Sequence, residues 1–183
     1  MTTTYFTATT LDGFLADPSD SLDWLLRQDF DEDGPFNVPV FLTGIGATVM
    51  GSTTYEWIVR RLRETGEDWP YEMPSWVMTS RELERVPGAD LHFSKGNIRN
   101  AHAEMTAAAG GKDLWVIGGG DLAGQFADAG LLDEVVVSYA PVVLGAGRPL
   151  LPRRLDLELI DSARNGAFIC GRYRVAGALT EDQ

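Results

Sequence analysis

Apolar positions along this chain recur with a period of two in some stretches and near 3.6 in others, and glycines or prolines mark most of the changes. Thr3-Thr4-Tyr5-Phe6-Thr7-Ala8-Thr9 is rich in β-branched and aromatic residues and runs to the turn pair Asp12-Gly13, which predicts a first strand. Residues 22–26 follow Ser19, Asp20 and Ser21, any of which can cap a short helix ending near the acidic stretch 29–35. Ala47-Thr48-Val49-Met50 predicts a strand closed by Gly51, with Ser52 or Thr53 capping a helix to about Arg63. Residues 76–79 and 90–93 predict two more strands, and 97–109 a helix stopped by Gly110-Gly111.

Leu114-Trp115-Val116-Ile117 is an unbroken apolar run, as a strand covered on both faces requires, and three glycines follow it. A helix over 121–129 then ends at Gly130, residues 134–139 form a strand, and 141–152 form a glycine- and proline-bearing loop. Residues 157–163 and 167–175 read as a closing antiparallel pair. Alternating strands and helices followed by strands alone predict an α/β fold. Its sheet is mixed and mostly parallel, with antiparallel C-terminal strands and helices on both faces.

A length of 183 residues suits one domain, 1–183, and a hydrophobic fraction of 44% is enough to fill its core. Only the polar tail 180–183 is expected to be disordered. The net charge of −12 repels nucleic-acid backbones and anionic membranes, so neither is an expected partner. An anionic ligand therefore needs a local site of backbone N–H groups and a few arginines. The single cysteine, Cys170, excludes an internal disulfide, and its apolar setting predicts a buried strand residue. His92 and His102 have no ligand-spaced partners, so no metal site is expected. With no leader pattern and no spanning apolar run, the expected location is cytoplasmic.

Three predicted strand ends suit phosphate. Gly118-Gly119-Gly120 leads a buried strand into a helix at Asp121-Leu122, where main-chain N–H groups and the helix dipole can hold a diphosphate. The same glycines serve equally well for tight strand-to-helix packing. Gly51-Ser52-Thr53-Thr54 pairs a glycine with hydroxyls at another helix start. Thr79-Ser80-Arg81 offers two hydroxyls and a guanidinium, although Arg81 also reads as a plain surface charge. Strand ends of a parallel sheet converge on one crevice, so a single extended ligand can lie across all three.

These residues, together with Thr10-Leu11-Asp12-Gly13-Phe14-Leu15-Ala16, Ser21-Leu22-Asp23-Trp24 and residues 140–150, resemble the dihydrofolate reductase superfamily. The likeness is strongest to the branch holding the C-terminal reductase domain of the bifunctional riboflavin-biosynthesis deaminase-reductase and its free-standing relatives. It implies a three-layer fold and an NADPH-dependent reductase acting on a small heterocyclic or ribosylated substrate. The diphosphate would lie at Gly118 to Leu122, with Gly51, Ser52, Thr53 and Thr54 along the cofactor and Ser80 and Arg81 at its 2′-phosphate. Ser52 stands where the family has an arginine, so one cationic contact is missing. Catalysis needs a proton donor, either an acid or an ordered water. Asp23 and Asp12 are the candidate acids, Asp23 slightly ahead, while helix capping and turn shaping explain them as readily. Trp24 either covers the substrate ring or belongs to the core. Arg148, Arg153 or Arg154 would meet a substrate phosphate, and the 141–152 loop would alternatively serve a homodimer interface. A fold kept as a non-catalytic nucleotide-binding or structural dimer is the rival reading.

Overall fold

Residues 1–179 are described by a computed structural model; the tail predicted to be disordered, 180–183, lies outside them. The first half comprises β1 (Thr3–Thr10), β2 (Phe14–Ala16), α1 (Asp23–Leu26), α2 (Val38–Thr43), β3 (Ile45–Gly51), α3 (Ser52–Thr65) and β4 (Ser75–Met78). The second comprises β5 (Leu91–Ser94), α4 (Ile98–Ala108), β6 (Asp113–Gly118), α5 (Gly120–Asp128), β7 (Glu134–Ala140), β8 (Arg148–Pro149), β9 (Leu155–Asn165) and β10 (Phe168–Ala178).

Eight strands form one sheet in the order β5-β4-β3-β6-β1-β7-β10-β9, and β2 pairs with β8 outside it. Every neighbouring pair from β5 to β7 is parallel, and β10 alone runs against the rest. The mixed, mostly parallel sheet is as the pattern predicts, and the antiparallel end is a hairpin of β9 and β10.

Period-two alternation sorts the buried side chains to two faces. Tyr5, Val49, Leu114 and Val116 meet Ala101 and Met105 of α4 and Phe126 of α5 on one face. On the other, Met50 and Val77 meet Tyr55 and Ile58 of α3, while Phe6 and Trp115 meet Val38, Phe41 and Leu42 of α2. The apolar run 114–117 is therefore covered on both sides, giving three layers.

The helix starts correct the expected caps. Gly51 and Gly119 are the capping residues of α3 and α5, extended in backbone and with no side-chain cap bond. Ser52 and Thr53 thus begin α3 rather than cap it. Three short elements, β2, α2 and β8, lay beneath the sequence pattern; α2 is set by Asn37, whose side chain accepts the Val40 N–H at 2.8 Å, and by Pro39 in its first turn. Among the described residues no helix is long and apolar enough to cross a membrane, and no cluster of metal-ligating side chains forms. Cys170 is buried, with its Sγ 3.3 Å from Ser138 Oγ, and burial pushes its thiol pKa up.

Candidate active-site cleft

β6 enters the sheet between β3 and β1 after the chain has already moved outward to β5, which leaves a crevice beyond the C-terminal strand ends. A cleft of about 1240 Å³ occupies it, lined from the ends of β3, β4, β5 and β6 and from the face of β1. Gly51, Ser52, Thr53, Thr54, Ser80, Gly118, Gly119, Gly120, Asp121 and Leu122 all line this one space, so the three phosphate-suited strand ends do converge.

At the glycine triplet the Gly118-Gly119 peptide is cis and Gly119 caps α5 with φ −83° and ψ −175°. The first N–H groups of a helix have no acceptor within it, and the capping residue, a glycine, has no side chain to supply one. A side chain on Gly119 would meet nothing within 4 Å, so the surface beside these amides is open. Gly120 is constrained instead: a Cβ there would run into the carbonyls of Pro149 and Leu150. The Tyr5 hydroxyl donates to the Leu150 carbonyl at 3.0 Å and fixes that crossing. Thr54 Oγ1 completes the cradle, 3.5 Å from the point where a Gly118 Cβ would stand. Open amides, a helix N-terminus and a hydroxyl are a fitting donor set for a diphosphate.

Cations around the cleft are mostly neutralised. Arg81 does not line it; its guanidinium grips both carboxylate oxygens of Glu56, a residue that does, at 3.0 and 2.6 Å, and the pairing raises the arginine pKa. Arg148 lines the cleft and is held on Asp20 at 2.5 and 3.0 Å. That hydrogen-bonded pair, chiefly, keeps the Asp20 carboxyl below its usual range. Arg153 binds Asp128 at 2.7 Å and Asp121 at 3.1 Å. Gln125, and then Arg153, hold the Asp121 carboxyl pKa down. Neither Arg153 nor Arg154 lines the cleft. Two lining cations carried no motif to mark them: Arg60 on α3, and Lys95 just past β5 between Ser94 and Gly96.

The two candidate acids lie elsewhere. Asp12 accepts from Thr10 Oγ1 at 2.6 Å and from the amides of Leu144 and Gly145, tying the β1–β2 turn to the following loop. The Thr10 hydrogen bond is the main reason its carboxyl stays below the usual range. Asp23 is exposed on the first turn of α1, its N–H donating to Ser21 Oγ at 3.1 Å. Neither lines the cleft. Trp24 takes the core alternative: it is 3% exposed, packs with Phe168 and Cys170, and donates Nε1 to the Leu15 carbonyl at 3.1 Å.

The far end of the cleft is walled by Phe6, Phe30, Phe36, Tyr71, Trp115 and Phe168, which sequence reasoning missed because they come from six separate segments. Trp115 Nε1 donates to the Phe6 carbonyl at 3.0 Å, and its ring meets that of Tyr71 edge-on at 5.5 Å. The Tyr71 hydroxyl has no hydrogen-bond partner among the described residues, and burial pushes its pKa up to about 12. Gln28 spends its amide N–H on the Trp24 carbonyl at 2.7 Å, leaving its side-chain oxygen for the cleft.

The model of the RibD C-terminal domain matches residues 2–166. The chain belongs to that family. RibD C-terminal domains are reductase domains of dihydrofolate reductase-like fold, and this chain has the fold. It is 26% identical over 148 residues to the uncharacterized protein YwjB of Bacillus subtilis, covering 81% of each chain. The crystal structure of a putative riboflavin biosynthesis protein from Shewanella sp. PV-4 superposes with a TM-score of 0.79 at 27% identity, covering 96% of this chain and 99% of that one. A bifunctional diaminohydroxyphosphoribosylaminopyrimidine deaminase/5-amino-6-(5-phosphoribosylamino)uracil reductase from Thermotoga maritima gives 0.63 at 17% identity. It covers 96% of this chain and 56% of that longer one, a likeness of fold.

Proposed function

We propose that this RibD-family domain is an NADPH-dependent reductase of a small heterocyclic substrate. The observation that carries the reading is one continuous cleft in which an open amide cradle on β6 is flanked on one side by aromatic walls. The amides of Gly120, Asp121 and Leu122 would take the cofactor diphosphate, with Thr54 beside them and Ser52 and Thr53 along its length. The bound nicotinamide would supply the hydride. Phe6, Trp115 and Phe168 would sandwich a flat ring and exclude bulk water, which strengthens every polar contact made there.

The proton is assigned to water held at the polar atoms of the aromatic end, the Tyr71 hydroxyl and the Gln28 side-chain oxygen among them. Three carboxylates line the cleft: Asp20 and Asp121 have their pKa values lowered by their partners and make poor acids near neutral pH, and Glu56 has both oxygens on Arg81. A ribosyl phosphate on the substrate would have to draw Arg148 from Asp20, so the heterocycle itself is the better-supported recognition element. Assembly is proposed through the C-terminal hairpin, where Leu157, Leu159 and Ile169 stand exposed on β9 and β10. Light scattering of the native chain and of Leu159→Glu tests this, a monomeric native chain defeating it.

Titration with NADPH, followed by nicotinamide fluorescence, tests the cofactor reading. Folded protein that binds none at millimolar cofactor sinks it. A second reading, a nucleotide-binding dimer without turnover, draws on Ser52 in the arginine's place and on Arg81 being occupied by Glu56. Binding without NADPH oxidation across a panel of pteridines and pyrimidines would favour it.

A further inference from the structure

We propose that Lys95, and not Arg81, reads the phosphomonoester that distinguishes NADPH from NADH. The inference rests on the cofactor reading above and refines it. Sequence favours Arg81, because it follows the hydroxyl pair of Thr79 and Ser80 at a strand end. The structure occupies that guanidinium: both of its outer nitrogens sit on Glu56, and it stands outside the cleft. That exposed pair sets a carboxylate beside any second anion the guanidinium would meet, which offsets part of the gain.

Three other basic side chains remain at or near the cleft. Arg148 is held on Asp20 by two hydrogen bonds, and Arg60 faces the field of the same aspartate. Lys95 lines the cleft, makes no hydrogen bond or ion pair to an acidic side chain among the described residues and, unlike Arg60 on α3, stands at a strand end. Its position fits the far end of a dinucleotide. β4 and β5 are paired with Met78 opposite Ser94, and the Thr79 N–H donates to the Ser94 carbonyl at 2.8 Å. Ser80 and Lys95 therefore leave adjacent strand ends side by side, and both face the cleft. From the cradle on β6, the sheet order passes β3 and β4 to reach β5. Three strand spacings are about 14 Å, the reach of an adenosine arm laid across the strand ends.

A lysine ammonium is a compact charge on a flexible stem, able to follow a terminal phosphate where a fixed guanidinium fork is committed elsewhere. In a chain of net charge −12, it is also the local positive field that a doubly charged phosphomonoester needs.

The test is fluorescence titration of the whole chain with NADPH and with NADH, in the native protein, Lys95→Gln and Arg81→Gln. Both side chains are exposed, so the folded state is expected to survive and circular dichroism confirms it. Lys95→Gln is expected to weaken NADPH by about tenfold while changing NADH by less than about twofold. Arg81→Gln is expected to leave the NADPH-to-NADH ratio where it was. An unchanged ratio in Lys95→Gln, a ratio lost in Arg81→Gln, or equal native affinities would overturn the assignment while the cofactor reading stands. Native protein that binds neither nucleotide removes the cofactor reading and this assignment together.

Discussion

Two neighbouring regions of the cleft, a glycine end of β6 and an aromatic end, recognise by different means. The glycine end offers main-chain amides at the start of α5, with Gly119 open and Gly120 pressed against the carbonyls of residues 149 and 150. The aromatic end is made of side chains: Trp115 meets Tyr71 and Phe41 edge-on, and Phe41 in turn meets Phe6. A backbone cradle is blind to most substitutions around it but intolerant of a side chain at its tightest point, Gly120, whereas an aromatic wall can be reshaped ring by ring. This division lets one scaffold keep a cofactor while its substrate changes, which is how folds come to host many functions.

Four experiments probe that division. The largest effect is expected from Trp115→Ala. It removes a ring only 6% exposed and should cost about 3–5 kcal/mol of stability, read as a fall in thermal midpoint. If the two ends are separate, nucleotide affinity of the folded variant stays within about twofold; a parallel collapse of affinity would erase the distinction. Gly120→Ala should cost about 1–3 kcal/mol because backbone, not a yielding side chain, opposes the new methyl. Here calorimetry and cofactor titration should fall together, since the displaced atoms are those of the cradle.

Thr54→Val sharpens the comparison at constant volume. Losing one hydroxyl donor should weaken NADPH by roughly fivefold with little change in unfolding, as isothermal titration and a melt would show. The smallest effect concerns Asp12, which tethers the loop at Leu144 and Gly145. Its folded pKa lies below its unfolded one, so the tether is complete above the ordinary aspartate range of about 3.9 and is lost as pH falls through the folded value. Protection of the Gly145 amide from hydrogen exchange should therefore hold from neutral pH down to the aspartate range and decline below it. In Asp12→Ala it should be weak throughout.

Legibility in the sequence follows the same division. The glycine end could be read because its residues are contiguous: an apolar run, three glycines and a helix sit within residues 114–129. The sheet could be read because burial on two faces leaves unbroken apolar strands and the hairpin leaves paired ones. The aromatic end could not, since Phe6, Phe36, Trp115 and Phe168 become neighbours only through tertiary folding. Asp23 and Trp24 occupy the expected segment, yet the turn of α1 puts the carboxylate outside and the indole into the core. Arg81 looked available because its partner, Glu56, lies on a helix that no local pattern connects to it. Lys95 was silent, as an isolated lysine beyond a four-residue strand must be.

The central placement of β1 has a consequence during synthesis. Tyr5 is paired with Val116 on one side and Val135 on the other, partners that leave the ribosome long after it does. At ~5–20 residues per second the first strand waits on the order of ten seconds with its tyrosine and phenylalanine uncovered. A nascent chain built this way has reason to be shielded by a chaperone until β7 emerges, and variants that slow translation between β5 and β7 would lengthen its exposure to misassembly.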